Sequence, residues 1–388
     1  MRRALFAALL CLALAHPGPG RAQPVPQPFP LVAEVLAPPW IFPGADGQRH
    51  MLYELQLLNV MPGPVHLRRI TISDTTSGAT LGTLDEAEIA RRFEIGAQRD
   101  KGGTVLGAGQ FGIGFLHLAL PADGPTPAGV VHDVELYAEP ARQVLRLAIG
   151  QSPVIVTPPP VLGPPLRGGR YIVGDGCCDS TRHIRALLPL NGRFRLAQRF
   201  AVDWERLDDD DRIFVGERTD PRSYRIHGAP VLAVADGSVV AALDGLPEQV
   251  PGTYPADLPI EQADGNFVVL DIGGGAFVLY AHLRPGSVAV QAGARVKRGD
   301  VLGAVGNTGN SVAPHLHLHV MDGPSALMSN GIPSVFDAFA VTAFNPAGTA
   351  DFDRAEGTGS RMTLTPITPP RQVRGAMPMD LTIVDWGP

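Results

Sequence analysis

Pro314-His315-Leu316-His317-Leu318-His319-Val320 decides how this chain is read. Successive side chains in a strand point to opposite faces, so His315, His317 and His319 share one face and Leu316 and Leu318 share the other. The leucines give the strand a core side. Three imidazoles in a row have no comparable structural use, and neutral imidazole is the commonest metal ligand.

The surroundings are equally strand-like. Working outward, strands are expected over residues 276–282, 266–272 and 230–242, with turns at 273–275 and 306–309. Farther upstream Asn191-Gly192 is a strong two-residue hairpin signal between residues 184–190 and 193–203. The chain has 45 glycines and 38 prolines and few helical periodicities, which favours short strands and tight turns. The fold class is mainly β.

The N-terminal part alternates as well. Tyr53, Leu55 and Leu57 share a face opposite Glu54 and Gln56, and Phe111, Ile113 and Phe115 repeat the pattern, as do Leu145, Leu147 and Ile149. Such runs describe a β-sandwich over residues 23–152, with an immunoglobulin-like arrangement as one candidate. One helix is expected after a capping box of Thr83 and Glu86. His50, His66, His117 and His132 are scattered, so this domain reads as a spacer or binding module. Residues 153–169 are proline-rich and read as a semi-rigid linker. An antiparallel β domain then spans 170–340, and an extension over 341–388 packs on its body. Asp208 to Asp211 lack the spacing of a calcium loop and read as a solvated turn.

Arg2 and Arg3, an apolar run over residues 5–14 and Gly20-Arg21-Ala22 have the plan of a secretory signal peptide over residues 1–22. A periplasmic or secreted protein with no membrane span is the expectation. Cys177 and Cys178 are adjacent, which leaves a buried pair or a vicinal disulfide and excludes a four-cysteine zinc site. The net charge of −6 argues against nucleic acid as a partner.

Five segments then fall in order: QRFAVD ending at Asp203, HGAPVLAVADGSVV from His227, GNFVVLDIGGG from Gly265 through LYAHL ending at Leu283, VQAGARVKRGDVLGAVGNTGNS ending at Ser311, and PHLHLHV from Pro314. This succession resembles the lysostaphin-like (LytM-type) zinc metallopeptidases of bacterial cell walls. The resemblance implies Zn2+ held by Asp203 and His317, with His315 as general base and His282 beside the reacting carbonyl. It implies peptidoglycan peptide as substrate and hydrolysis of its cross-links. The alternative is a non-catalytic domain that binds wall peptide or activates another wall hydrolase, a partner for which the N-terminal domain would be the docking surface.

One position departs from the family. Its first histidine ligand falls on Arg199, and a guanidinium has no lone pair to offer a metal. His183, across the Asn191-Gly192 hairpin, is the favoured replacement. A strict two-residue turn puts His183 opposite Phe200, pointing away from Asp203; one added residue and a bulge turn it to the same side. His319 is less favoured, because same-face neighbours on a strand lie about 6.6–6.8 Å apart. Arg199 itself is read as a clamp for a substrate carboxylate or as a partner of Asp203, the latter pointing to a non-catalytic relative.

Overall fold

The computed structural model describes residues 29–387 apart from 97, 100 and 140–142; the segment read as a signal peptide lies outside them. Strand Arg49–Asn59 is the spine of the N-terminal sandwich. It pairs with Leu31–Val35, Trp40–Pro43 and Phe111–Leu120, while Phe93–Ile95 closes the sheet. The opposing sheet runs Val144–Pro153, Gly129–Ala138, Val65–Asp74, Thr80–Leu84, with Val105–Leu106 beside it. Tyr53, Leu55 and Leu57 meet Leu67, Ile70 and Ile72 in a sealed core.

The other face of Arg49–Asn59 is not solvated, although alternation alone would put it in water. Leu52, Ile113 and Phe115 pack there against Ile184, Leu196 and Phe200 of the second domain. Burying each such side chain contributes about 1.5–3 kcal/mol. The seam between the two halves is therefore held chiefly by apolar contact. The expected helix is present as Glu86–Arg92, but its N-cap is Asp85, whose carboxylate accepts from Glu88 N at 2.9 Å. Thr83 instead pairs with Thr71 in the adjoining strand.

The second domain is built on an eleven-stranded sheet whose pairings are all antiparallel. Its middle runs Asn266–Asp271, Phe277–Leu283, Leu316–Met321, Val202–Arg206 and Tyr171–Gly174. The single strand expected over 230–242 is two. Pro230–Leu232 pairs with Val301–Ala304, and Gly237–Leu243 enters the main sheet. The break spans residues 233–236, and a Cβ on Gly237, where the second piece begins, would come within 2.5 Å of Asp271 O.

Two other expectations change. The proline-rich stretch read as a semi-rigid linker is packed on the second domain: Val161–Leu162 pairs with Val335–Phe336, and Leu162 and Leu166 lie in that domain's core. The C-terminal stretch is integral to the main sheet through Phe339–Phe344, Thr365–Val373 and Thr382–Asp385. It also contributes a helix, Thr349–Thr358, that the periodicity did not show. Among the described residues no helix is long and apolar enough to cross a membrane.

Candidate metal centre

Leu316 and Leu318 enter the core cluster, as the alternation requires, and the histidines take the opposite face. Strand Val202–Arg206 lies beside them with Asp203 directly opposite His317. Facing residues of an antiparallel pair share a side, and His317 Nδ1 lies 2.8 Å from Asp203 Oδ1. His315 Nε2 approaches the same oxygen at 3.3 Å. His282 closes the group from the end of Phe277–Leu283, its ring centroid 4.7 Å from that of His315. It adopts φ 61°, held by its N–H to Asp264 O at 2.9 Å and its carbonyl to Gly306 N at 3.1 Å. A non-glycine residue in that region costs on the order of 1–3 kcal/mol, and the surrounding bonds keep it there.

His183 does reach Asp203, its Nε2 3.3 Å from Oδ2, but not by the expected route. The Asn191-Gly192 turn is the strict two-residue kind, and its ladder, Leu188–Leu190 with Arg193–Arg195, ends well short of His183. Strand Tyr171–Gly174 does the positioning instead. It pairs with Val202–Arg206 so that Gly174 faces Asp203, and the turn that follows returns His183 to the same carboxylate. His183 Nδ1 is bound to Asp175 O at 2.9 Å. The bond to a carbonyl fixes a proton on Nδ1, so the neutral ring carries its lone pair on Nε2. One ligand atom each from His183, Asp203 and His317 lie within 4.8 Å of one another, as do those of His282, His315 and His317.

His319 and Arg199 take other positions. His319 Nδ1 lies 2.9 Å from His317 Nε2, behind the candidate ligand rather than beside it. Arg199 does not line the cleft and clamps nothing there. It is 2% exposed and pairs with Glu54 Oε2 of the sandwich at 2.8 Å and with Gly331 O at 3.1 Å. The reason is the turn over residues 197–200, which ends the hairpin and aims the side chain into the seam before the Asp203 strand begins.

Asp203 is buried among imidazoles whose charges set its titration. Burial would raise its carboxyl, but the charges of His183 and His315 and their hydrogen bonds outweigh that and hold it well below the ordinary range. Burial would lower His183, yet the Asp203 carboxylate raises it to about 9. His315 is raised on the same balance. His282 is held well below its ordinary value by burial and then by the neighbouring imidazoles, and His319 likewise.

These groups open into a cleft of about 550 Å3. Glu205, Glu356, Asp175 and Arg182 line it too, and none was singled out from the sequence. Glu205 was within reach of such reasoning, since it stands two residues after Asp203 on the same face. Burial, and then the Glu356 carboxyl, push it well above the ordinary range. Glu356 comes from the unforeseen helix and carried no local signal.

An antiparallel β domain with this donor set at the centre of its sheet fits the LytM-type resemblance of the sequence. Residues 223–328, within the second domain, match the model of Peptidase family M23. Solved structures with which the chain aligns include the catalytic domain of the antimicrobial peptidase lysostaphin from Staphylococcus simulans, 23% identical over 42% of this chain and 88% of that one, TM-score 0.23. A zinc containing peptidase from Vibrio cholerae is 15% identical over 74% of this chain and 82% of its own, TM-score 0.23. A prophage-encoded M23 protein of Enterococcus faecalis is 16% identical over 45% and 92% respectively, TM-score 0.25.

Proposed function

We propose that the protein is an exported zinc-dependent endopeptidase that hydrolyses peptide cross-links of peptidoglycan. The observation that carries the reading is the convergence of His183, Asp203 and His317 on one point beside His282 and His315. Two imidazole nitrogens and one carboxylate oxygen form a three-ligand set that leaves a fourth position open, which is the pattern of catalytic rather than structural zinc. The outer atoms suit it. Asp175 O orients His183, and His319 orients His317, as second partners of zinc-binding histidines do. When bound there, zinc supplies polarisation of a carbonyl and acidification of water.

The remaining chemistry belongs to the side chains. His315 Nδ1 donates to Ala313 O at 2.7 Å, so its Nε2 faces the cleft and accepts the proton of the attacking water. His282 Nδ1 donates to Thr308 O at 2.7 Å, so in its neutral form Nε2 also carries a lone pair. The proton that His315 takes from the water would pass to His282 Nε2 and from there to the leaving amine, or stay to hydrogen-bond the developing oxyanion. The arginine at the family's first ligand position is no obstacle on this reading, because His183 supplies the imidazole and Arg199 serves the seam. Export rests on residues 1–22, whose sequence has the plan of a signal peptide.

The test is incubation of the purified, zinc-loaded protein with cross-linked peptidoglycan, reading the appearance of new amino groups, with Asp203→Ala as control. Stoichiometric zinc lost in Asp203→Ala, together with release of amino groups, is the expected result. Stoichiometric zinc without hydrolysis would replace the reading by a non-catalytic domain that binds wall peptide.

A further inference from the structure

A second constellation lies in the seam between the domains, away from the cleft. His50 and His117 stand on neighbouring strands of the sandwich, diagonal to each other because Leu52 faces His117. His50 Nδ1 and His117 Nε2 point at each other across 2.9 Å. The outer nitrogen of each ring is held by a carboxylate. His50 Nε2 meets Asp46 Oδ1 at 3.0 Å, and His117 Nδ1 meets Asp179 Oδ2 at 3.1 Å. Asp179 also accepts from Arg92, which keeps it anionic in place. Carboxylates behind both rings put the protons on the outer nitrogens, so two lone pairs face each other and something cationic is needed between them.

Cys178 supplies the third atom. Its Sγ, His50 and His117 offer ligand atoms that all lie within 4.8 Å of one another. A tetrahedral zinc needs about 3.3 Å between two nitrogens and about 3.6 Å between nitrogen and sulfur. A few tenths of an ångström of opening would satisfy the first. The wall is apolar, with Phe42, Leu52, Phe115 and Phe200 in the same cluster as Cys178. In this structure Cys178 is bonded to Cys177.

We infer that His50, His117 and Cys178 form a second metal site, for zinc or another borderline divalent ion, that becomes available when the Cys177–Cys178 disulfide is reduced. A dithiol would transfer two electrons and two protons to the S–S bond, leaving as its own disulfide and giving two thiols. Cys178 then loses its proton to solvent on binding the ion, while each imidazole keeps its outer N–H, donated to Asp46 or Asp179. One thiolate and two imidazoles select zinc, copper or cobalt over magnesium and calcium. The site would also act on the cleft. Cys178 and Asp179 lie between Asp175, whose carbonyl holds His183, and His183 itself. An ion in the seam pins that segment to the sandwich.

Cobalt(II) titration of metal-free full-length protein tests this, because a thiolate ligand adds a charge-transfer absorption that imidazole and carboxylate do not. Phosphine-reduced protein should bind one ion more than oxidised protein, and the extra ion should carry the band. Cys177→Ser should show it without reductant. Cys178→Ser and His50→Ala should lose it, each with at least a 100-fold weaker second step. Should His50→Ala fail to fold, the two cysteine variants and the reduced parent carry the comparison. Reduced Asp203→Ala separates the sites, since it should lose the cleft ion and keep the banded one. Equal stoichiometry before and after reduction overturns the inference, and so does an extra ion without the band or one that persists in Cys178→Ser.

Discussion

His183→Ala isolates the feature that departs most from the family pattern. The substitution removes an imidazole whose Nε2 is 3.3 Å from Asp203 Oδ2 and leaves Asp203 and His317 as the ligand pair. Loss of an orienting partner behind a zinc ligand typically costs 10–100-fold in affinity, so loss of a ligand should exceed the upper end of that range. At least 100-fold corresponds to about 2.7 kcal/mol. His319→Ala is the matched control. It acts only through His317 Nε2, so about 10–100-fold is expected. Competition against a chromophoric chelator at fixed pH reads both. The metal-free protein gives a second readout. His183 is raised to about 9 in the fold by Asp203 against burial, so its contribution is fully present below about pH 6.5 and fades as pH rises through 9. Its upper bound is about 3 kcal/mol. Metal-free His183→Ala should therefore be destabilised at neutral pH and approach the parent above pH 9. Zinc affinity within threefold of the parent would refute the assignment, and a larger loss in His319→Ala than in His183→Ala would reverse the order of the two histidines.

Other substitutions probe the rest of the arrangement. Glu54→Leu leaves Arg199 buried and unpaired and should cost about 3–5 kcal/mol in urea denaturation, while Glu54→Leu with Arg199→Met should recover most of it and still bind zinc; a double variant that loses zinc would return Arg199 to the cleft. His315→Ala should keep zinc within about tenfold yet lose about 10²–10⁴-fold in peptide hydrolysis; unchanged hydrolysis would remove it as the base. Asp380 is pushed up to about 7, chiefly by burial, so its folded form holds a proton that the unfolded chain has released, and stability falls as pH rises from about 4 to 7. Asp380→Asn should flatten that slope in denaturation curves taken across the range, and an unaltered slope would assign it to other groups.

Much of the site was legible because its rule is local. Alternation in Pro314–Val320 follows from backbone sterics, so the histidine face and the leucine face needed no knowledge of the rest of the chain. Glycine and proline content, the strand-length runs and the hairpin at Asn191-Gly192 gave the β class on the same footing. Asp203, His282, His315 and His317 were reached through the order of the motifs around them. The helix before Phe93 was legible in place but not in its cap, since Thr83 and Asp85 both offer an oxygen and strand pairing takes the first.

What the tertiary structure decided depends on which distant segments meet. His183 becomes a neighbour of Asp203 because Tyr171–Gly174 pairs with Val202–Arg206. Arg199 leaves the cleft because Glu54, 145 residues away, waits in the seam. His50 and His117 looked scattered and are 2.9 Å apart because two strands of the sandwich align them. Glu356 reaches the cleft on a helix inserted between strands of the C-terminal stretch. Register and docking are set by many weak contacts summed over whole faces, and a one-residue slip turns every side chain of a strand to the other side. No single stretch of sequence carries that sum. The sequence by itself determined which residues could share a face; only the packed chain determined which faces came together.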